Sequence, residues 1–357
     1  LILIMNKYIY IFIAAVSVFF GAACSSDNDL PAYATGLKVV KAETDFGVLG
    51  ETKEVIMSKE PARAYALDAW LTVTKTAEKL SLTAQPNTSE QSRNTLLVVK
   101  NEQGDSITLN IQQEGVTFGL PTGEDIYAGD EAVERSLIAT SNVPVEYSGT
   151  ADWIKVTDTN GKINVKVEAN TTGRPRVGWV TAKAIGLVDS LKVVQASLND
   201  VVGDYVQTAK MRLPSRDLAE KTSSVRIEAT GTNKANFIVD NQYKWEVSFT
   251  PGKGFEMMNG KIVGKKEVVP GVYEYLITVI VADDFSKEHE TAINGTKESI
   301  LLTFDNNGNL VFREAQKLAS EQTFSSYGWN RFTDTKPVMG AFRGIGEVYV
   351  NPKLTRR

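Results

Sequence analysis

Two stretches of this chain repeat one another at a fixed distance. Trp70-Leu71-Thr72-Val73 is matched 83 residues on by Trp153-Ile154-Lys155-Val156. At the same spacing Asn87-Thr88 is matched by Asn170-Thr171, and Arg93 by Arg176. The closing segments correspond at a spacing one shorter, Leu109-Asn110-Ile111-Gln112-Gln113 against Leu191-Lys192-Val193-Val194-Gln195. Both follow an Asp-Ser pair, Asp105-Ser106 and Asp189-Ser190. Several anchors at one spacing define two copies of one unit. A unit of roughly 80 residues is too long for a solenoid repeat and suits a small sandwich. In the first closing strand, apolar Leu109 and Ile111 alternate with Asn110 and Gln112, the pattern of a strand with one buried face. From Gly36 to about Ser197, short runs of this kind are separated by turn residues, and helical periodicity is scarce.

The shared elements are Trp-[Leu/Ile]-x-Val, an Asn-Thr turn with a downstream Arg, and an apolar strand ending in Gln. Together they resemble the BACON domain, a small immunoglobulin-like β-sandwich of Bacteroidota surface proteins. The resemblance places sandwiches at 37–115 and 116–198. The first fits down to Gln113-Glu114-Gly115; the second ends Gln195-Ala196-Ser197, and its early strands are not legible. The family carries a proposed carbohydrate-binding role, and its members often stand between a lipid anchor and a functional domain. Trp70 and Trp153 are therefore read two ways, as sugar-stacking platforms or as core. Each precedes alternating apolar residues, Leu71/Val73 and Ile154/Val156, and a tryptophan repeated at one fold position is expected in a core. Arg93 and Arg176 are expected to support the turn or a neighbouring carboxylate.

Cys24 is the only cysteine. Lys7 is the sole charge in the first 23 residues, followed by an apolar run from Tyr8 to Ala23 that ends in Gly21-Ala22-Ala23. A positive start, an apolar stretch and small residues are the parts of a signal peptide. The run of 16 is shorter than the roughly 20 residues a membrane-spanning helix needs. With Cys24 directly after it, the segment resembles a lipobox. That resemblance implies a signal peptide at 1–23, an acylated Cys24 held in membrane lipid, and a tether at 24–36. Ser25-Ser26-Asp27-Asn28-Asp29 resembles the signal that exports lipoproteins to the outer face of the outer membrane. With Cys24 acylated, no thiol remains for a disulfide, a thiolate metal site or a nucleophile.

Residues 199–357 carry no copy of the repeat. Tyr243, Trp245, Val247 and Phe249 alternate with Lys244, Glu246 and Ser248, predicting a strand with one aromatic face. Val272–Val281 is apolar on both faces, as in a central strand. Asp305-Asn306-Asn307-Gly308-Asn309 predicts a hairpin. Short helices are expected near Ser215–Lys221 and Glu314–Glu321. The class is all-β: two tandem immunoglobulin-like sandwiches, then a larger antiparallel domain, either a sandwich or a lipocalin-like barrel.

Signals of chemistry are sparse. Lys and Arg number 39 against 43 Asp and Glu, without a basic stripe interleaved with aromatics, so nucleic acid is not an expected partner. His289, the only histidine, sits in the charged segment Asp283–Glu290 and reads as solvated. A Ser/His/Asp triad or a histidine-built zinc site has little to draw on. Carboxylate pairs are possible wherever acids occur, and none stands out. Asp305–Asn309 offers oxygens at alternate positions, but its glycine is fourth rather than sixth and the closing Glu is missing, so it reads as a hairpin and not a calcium loop. No cofactor, metal or catalytic residue is expected. Gly344-Ile345-Gly346 reads as a strand irregularity or a close packing contact.

The stretch Phe324–Asp334 is aromatic, polar and without a clear period. Sugars offer flat C–H faces and hydroxyls, and Tyr327, Trp329, Asn330, Arg331 and Asp334 supply rings and polar partners for both. The competing reading is a loop pinned to the core by Phe324, Trp329 and Phe332. The function expected is a glycan-binding accessory lipoprotein of a polysaccharide uptake system, beside outer-membrane transporter proteins. The alternative is a structural or adhesive surface lipoprotein with a protein partner and no small ligand.

Overall fold

The computed structural model describes residues 36–212, 218–282, 291–292, 299–314 and 324–357. The signal segment 1–23, Cys24, the tether as far as residue 35, and His289 lie outside the described residues. Almost every described element is a strand; the one exception is a three-residue 3-10 turn at Met339–Ala341. The chain forms two compact units. One holds the residues up to Pro86 together with Arg93–Glu114, the other Asn87–Ser92 and Gly115–Arg357.

The first unit contains a sandwich of two four-stranded sheets. One sheet runs in the order Val39–Ala42, Thr52–Met57, Lys79–Ala84, Leu71–Thr76; the other runs Asp45–Phe46, Ser106–Gln113, Arg93–Lys100, Arg63–Ala66. Lys79–Ala84 shows why these residues make strands: Leu80 and Leu82 alternate with polar neighbours and are fully buried. They pack with Phe46, Val55, Leu97 and Ile111 in the space between the sheets.

The second copy repeats this plan. Its core gathers Ile154, Ile163, Val165, Val180, Leu191 and Val193. The early strands that the sequence left unplaced are Ile126–Ala128 and Val133–Ile138. Ile126–Ala128 pairs parallel with the last strand, Leu187–Gln195, as Asp45–Phe46 pairs parallel with Ser106–Gln113 in the first copy.

The C-terminal region is one antiparallel 12-stranded sheet rather than two separate sheets. The path runs Ile262–Val269, Val272–Ala282, Phe324–Phe332, Phe342–Arg356, Gly203–Arg212, Leu218–Gly231, Lys234–Val239, Tyr243–Thr250, Gly254–Met258, Ser299–Phe304, Leu310–Glu314. The short strand Thr291–Ala292 pairs with Val272–Ala282. Strands far apart on this path bring their rings together. Phe237 meets Tyr327 at 6.2 Å between centroids, Tyr243 meets Trp329 at 4.0 Å, and Phe312 meets Tyr327 at 5.4 Å. The sheet therefore curls over on itself around an aromatic interior.

Tyr243–Thr250 and Val272–Ala282 form as the alternation and the apolar run predicted. The expected helix near Ser215–Lys221 does not form where it is described: Leu218–Lys221 open the strand Leu218–Gly231. Glu314 ends a strand, and 315–321 lie outside the described residues. Lys234–Val239 and Phe324–Phe332 are strands that the sequence reading did not place.

Packing does not break at the sequence junction 198/199. Val194 and Ala196, from the end of the second sandwich, belong to the same buried cluster as Tyr205, Phe237 and Trp245. The Gly252 amide donates to the Ala196 carbonyl at 2.9 Å. Gly252 has φ +72, and a Cβ there would meet the Ala128 nitrogen at 2.6 Å and the Val194 oxygen at 2.8 Å. Glycine is required on both counts. The second sandwich and the curled sheet thus form one packed body.

Candidate functional site

Each sandwich holds the same three-residue assembly. In the first copy the Arg93 guanidinium lies over the Trp70 ring at 4.7 Å, and its Nε donates to Gln113 Oε1 at 2.8 Å. In the second, Arg176 lies over Trp153 at 4.3 Å, and its Nε donates to Gln195 Oε1 at 2.9 Å. Arg93 Nη2 also donates to the carbonyls of Gln85 (2.8 Å) and Pro86 (3.1 Å); Arg176 Nη2 donates to the Glu168 carbonyl at 2.5 Å. Both glutamines are buried. Gln113 Nε2 donates to Gly47 O and Gln85 O at 2.9 and 3.0 Å, and Gln195 Nε2 to Glu131 O at 3.0 Å. One face of each indole is therefore covered by a cation, and the rings are partly buried against the cores. This is the structural role expected of Trp70, Trp153, Arg93 and Arg176, with the closing glutamine as the member that the sequence reading left without a task.

The two Asn-Thr turns are equally alike. Asn87 Nδ2 donates to Gln91 O at 2.9 Å, and Asn170 Nδ2 to Arg174 O at 2.9 Å. Each Oδ1 accepts the backbone amide two residues on, from Ser89 and Thr172, at 3.2 Å in both cases. These are Asx turns, in which a short side chain takes over backbone hydrogen bonds.

The aromatic stretch Phe324–Asp334 is not a loop. Phe324–Phe332 is an internal strand, paired on one side with Val272–Ala282 and on the other with Phe342–Arg356. Tyr327 and Trp329 face the curled interior and are 0% and 1% exposed. Asn330 is buried as well. Arg331 pairs with Glu274 at 3.4 Å, and Asp334 accepts from Thr335 Oγ1 and the Lys336 amide at 3.2 and 3.0 Å. The five residues do not converge on one surface, which corrects the expectation of a ring-bearing sugar loop there. The physical reason lies in alternation interrupted by glycine, Tyr327-Gly328-Trp329. A Cβ on Gly328 would strike the Glu347 carbonyl oxygen, and one on Gly346 the Trp329 carbonyl. Gly344-Ile345-Gly346 lies opposite, where the strand pairing shifts register, so it is a strand irregularity and a close contact at once.

The interior carries polar groups among its rings. Tyr243 and Tyr349 both donate to the Glu347 carboxylate. Burial, and then the Glu347 charge, push the Tyr243 hydroxyl up to about 12. Tyr327 donates to Gln207 Oε1 at 2.6 Å, and burial raises its hydroxyl far above the ordinary value. Gln207 is fully buried, and its Nε2 has no partner among the described residues.

Beside this interior opens a cleft of about 680 Å³. It lies between Leu310–Glu314, the last strand of the sheet path, and the end of Phe342–Arg356, a strand in the middle of that path. The curl creates it by bringing these two strands face to face. Tyr205, Phe312 and Leu354 supply apolar lining, and Arg313, Lys353 and Arg356 supply cations. Pairing sets Tyr205 opposite Arg356 and Gln207 opposite Leu354, so these four share one side of the sheet. Arg356 is held by the carbonyls of Asp200 (2.6 Å) and Val202 (3.1 Å). Pro175, from the second sandwich, contributes to the wall, and a Cβ on Gly308 would meet its carbonyl oxygen at 2.7 Å.

The two acids of the cleft are committed. Asp200 is 2% exposed and accepts the Ser197 amide at 2.8 Å; burial first, and Asp130 second, raise its carboxyl above the usual range. Asp305 accepts the amides of Asn307 and Asn309 on Oδ1 and the Asn309 side chain on Oδ2. Burial would raise the Asp305 carboxyl, but these hydrogen bonds outweigh it and hold it low. The 305–309 segment is thus a self-contained hairpin. Among the described residues no three His, Cys, Asp or Glu side chains gather as a metal site would require. Nothing in the sequence announced the cleft, because its walls are about 40 residues apart in the chain and meet only through the curl.

The BACON family model, described as a putative binding domain, matches residues 60–114 and 142–196. The chain thus carries two BACON-like domains, whose matched segments hold both Trp-Arg-Gln assemblies. No curated protein is significantly similar to the chain. Among solved structures, the I9–I11 tandem from titin is similar at 11% identity over 68% of this chain and 94% of that one, with a TM-score of 0.35. An endo-fucoidan hydrolase of glycoside hydrolase family 107 is similar at 11% identity over 44% of this chain, which spans a third (33%) of that one, with a TM-score of 0.20. Likenesses this slight say nothing about activity.

Proposed function

We propose that this chain is a glycan-binding lipoprotein of the cell surface, anchored through Cys24 in the outer membrane and serving a polysaccharide uptake system. The observation that carries the reading is the cleft, a concavity lined by both apolar and charged residues, as ligand sites are. The BACON-like domains support it as surface modules associated with carbohydrate binding. In this reading the sandwiches are spacers, because Arg93 and Arg176 cover the tryptophan faces that a sugar would need. The unlipidated chain from Ser25 onward, run through native gels containing a range of polysaccharides, should be retarded by at least one of them. Unchanged mobility in every gel sinks the proposal.

A protein partner is favoured by a different observation. Val268, Val269 and Val272 are exposed at one hairpin tip, and Val338 and Met339 on the connection 333–341. The register Tyr275–Phe332–Phe342 puts both at the same end of the sheet. Cross-linking on whole cells that joins this end to a transporter, without any dependence on sugar, would favour that reading.

A further inference from the structure

Resting on the glycan-binding reading, we infer that the cleft takes an acidic polysaccharide, one bearing carboxylate or sulfate groups. The argument is an accounting of its charges. Arg313, Lys353 and Arg356 line it, against Asp200 and Asp305. The acids are the groups already spent: Asp200 is closed off from solvent and bound to the Ser197 amide, and Asp305 uses both oxygens on its own hairpin. Asp305 is also partly offset by the charge of Lys192 beside it, whose Nζ donates to Phe304 O at 3.2 Å.

The cations are not spent in the same way. Lys353 is exposed, and its side chain makes neither an ion pair nor a hydrogen bond among the described residues. Arg313 is exposed and donates only to its neighbour Phe312 O, at 3.4 Å. Arg356 binds two carbonyls with its terminal nitrogens, and its guanidinium has no carboxylate partner among the described residues. A guanidinium has five N–H donors, so others remain for a ligand. Two exposed cations and one braced guanidinium around one cleft match a polymer with regular anionic groups. The chain carries net charge −4, so a polyanion is repelled by the protein as a whole and attracted at this place.

The test uses the chain from Ser25 onward in native gels containing polygalacturonate, dextran sulfate or neutral dextran. The expected result is retardation by an acidic gel and not by dextran, relieved by added salt; polygalacturonate against dextran sulfate tells carboxylate from sulfate. The double variant Arg313→Gln, Lys353→Gln changes only exposed side chains. It should bind the acidic polymer at least roughly tenfold more weakly, since a hydrogen bond to a charged group contributes about that much. Circular dichroism and the melting temperature check that it stays folded. Lys155→Gln, Lys162→Gln, on the second sandwich, should bind as the parent does. Retardation by dextran alone overturns the acidic ligand and leaves the glycan reading standing. Retardation by none of a broad polysaccharide set overturns the reading beneath it. Acidic binding undiminished in the cleft variant, equally diminished in the sandwich variant, or matched by a DNA oligonucleotide also overturns the inference.

Discussion

Gln113→Leu is expected to unfold the first sandwich selectively. The side chain is 1% exposed and makes three close hydrogen bonds: from Arg93 Nε at 2.8 Å, and to the carbonyls of Gly47 at 2.9 Å and Gln85 at 3.0 Å. Leucine keeps the volume and removes all three. A bond to a charged group contributes about 1.5–3 kcal/mol and a neutral one about 1 kcal/mol, so the loss is about 4 kcal/mol. That is a large part of the stability of a small domain. Trp70 is the only tryptophan in its unit, the others being Trp153, Trp179, Trp245 and Trp329. Its indole N–H signal in a 15N-labelled sample therefore reports that unit alone during urea unfolding. The Trp70 transition should fall to much lower urea while the other four indoles hold their midpoint. A loss under about 1 kcal/mol would refute the reasoning. So would strict additivity with Arg93→Met, because residues sharing a hydrogen bond must couple.

Three other outcomes follow from the same structure. Gly328→Ala should cost about 1–3 kcal/mol in chemical denaturation, since the added methyl meets the Glu347 carbonyl on the neighbouring strand; a change within 0.5 kcal/mol (about the noise of a surface substitution) would show that the strands can part there. Asp305, held below its unfolded value by its hairpin amides, lends stability that is present above about pH 4 and lost as pH falls through its folded value. The Asn307 and Asn309 amide resonances should therefore shift on acidification, and stationary signals down to strongly acidic pH would contradict the assignment. Cys24→Ser should release the chain from the membrane fraction, and a variant that still sediments with membranes would remove the anchor from the proposal.

What was legible in the sequence is what neighbouring residues decide among themselves. The alternation of Tyr243–Thr250 names a half-buried strand, because successive side chains must take opposite faces. The Asp305 hairpin is decided by a side chain bonding its own loop. The repeat was legible because both copies solve one local problem, closing the end of a sandwich with Trp, Arg and Gln. The second copy's early strands were not: Ile126–Ala128 is held by a parallel pairing with residues 67 further on, and three residues carry no periodicity of their own.

The aromatic stretch marks where local reading stops. Tyr327 and Trp329 have the residue types of a sugar platform and the environment of a core, and the difference is made by Tyr349 on the neighbouring strand and by Phe237, Phe312 and Tyr243, which reach them only after the sheet has curled. The same curl that buries these rings brings Leu310–Arg313 against Asn351–Arg356 and opens the cleft beside them. Burial and site thus have one cause. The cleft is lined from segments about 40 residues apart in the chain, so no local pattern records it.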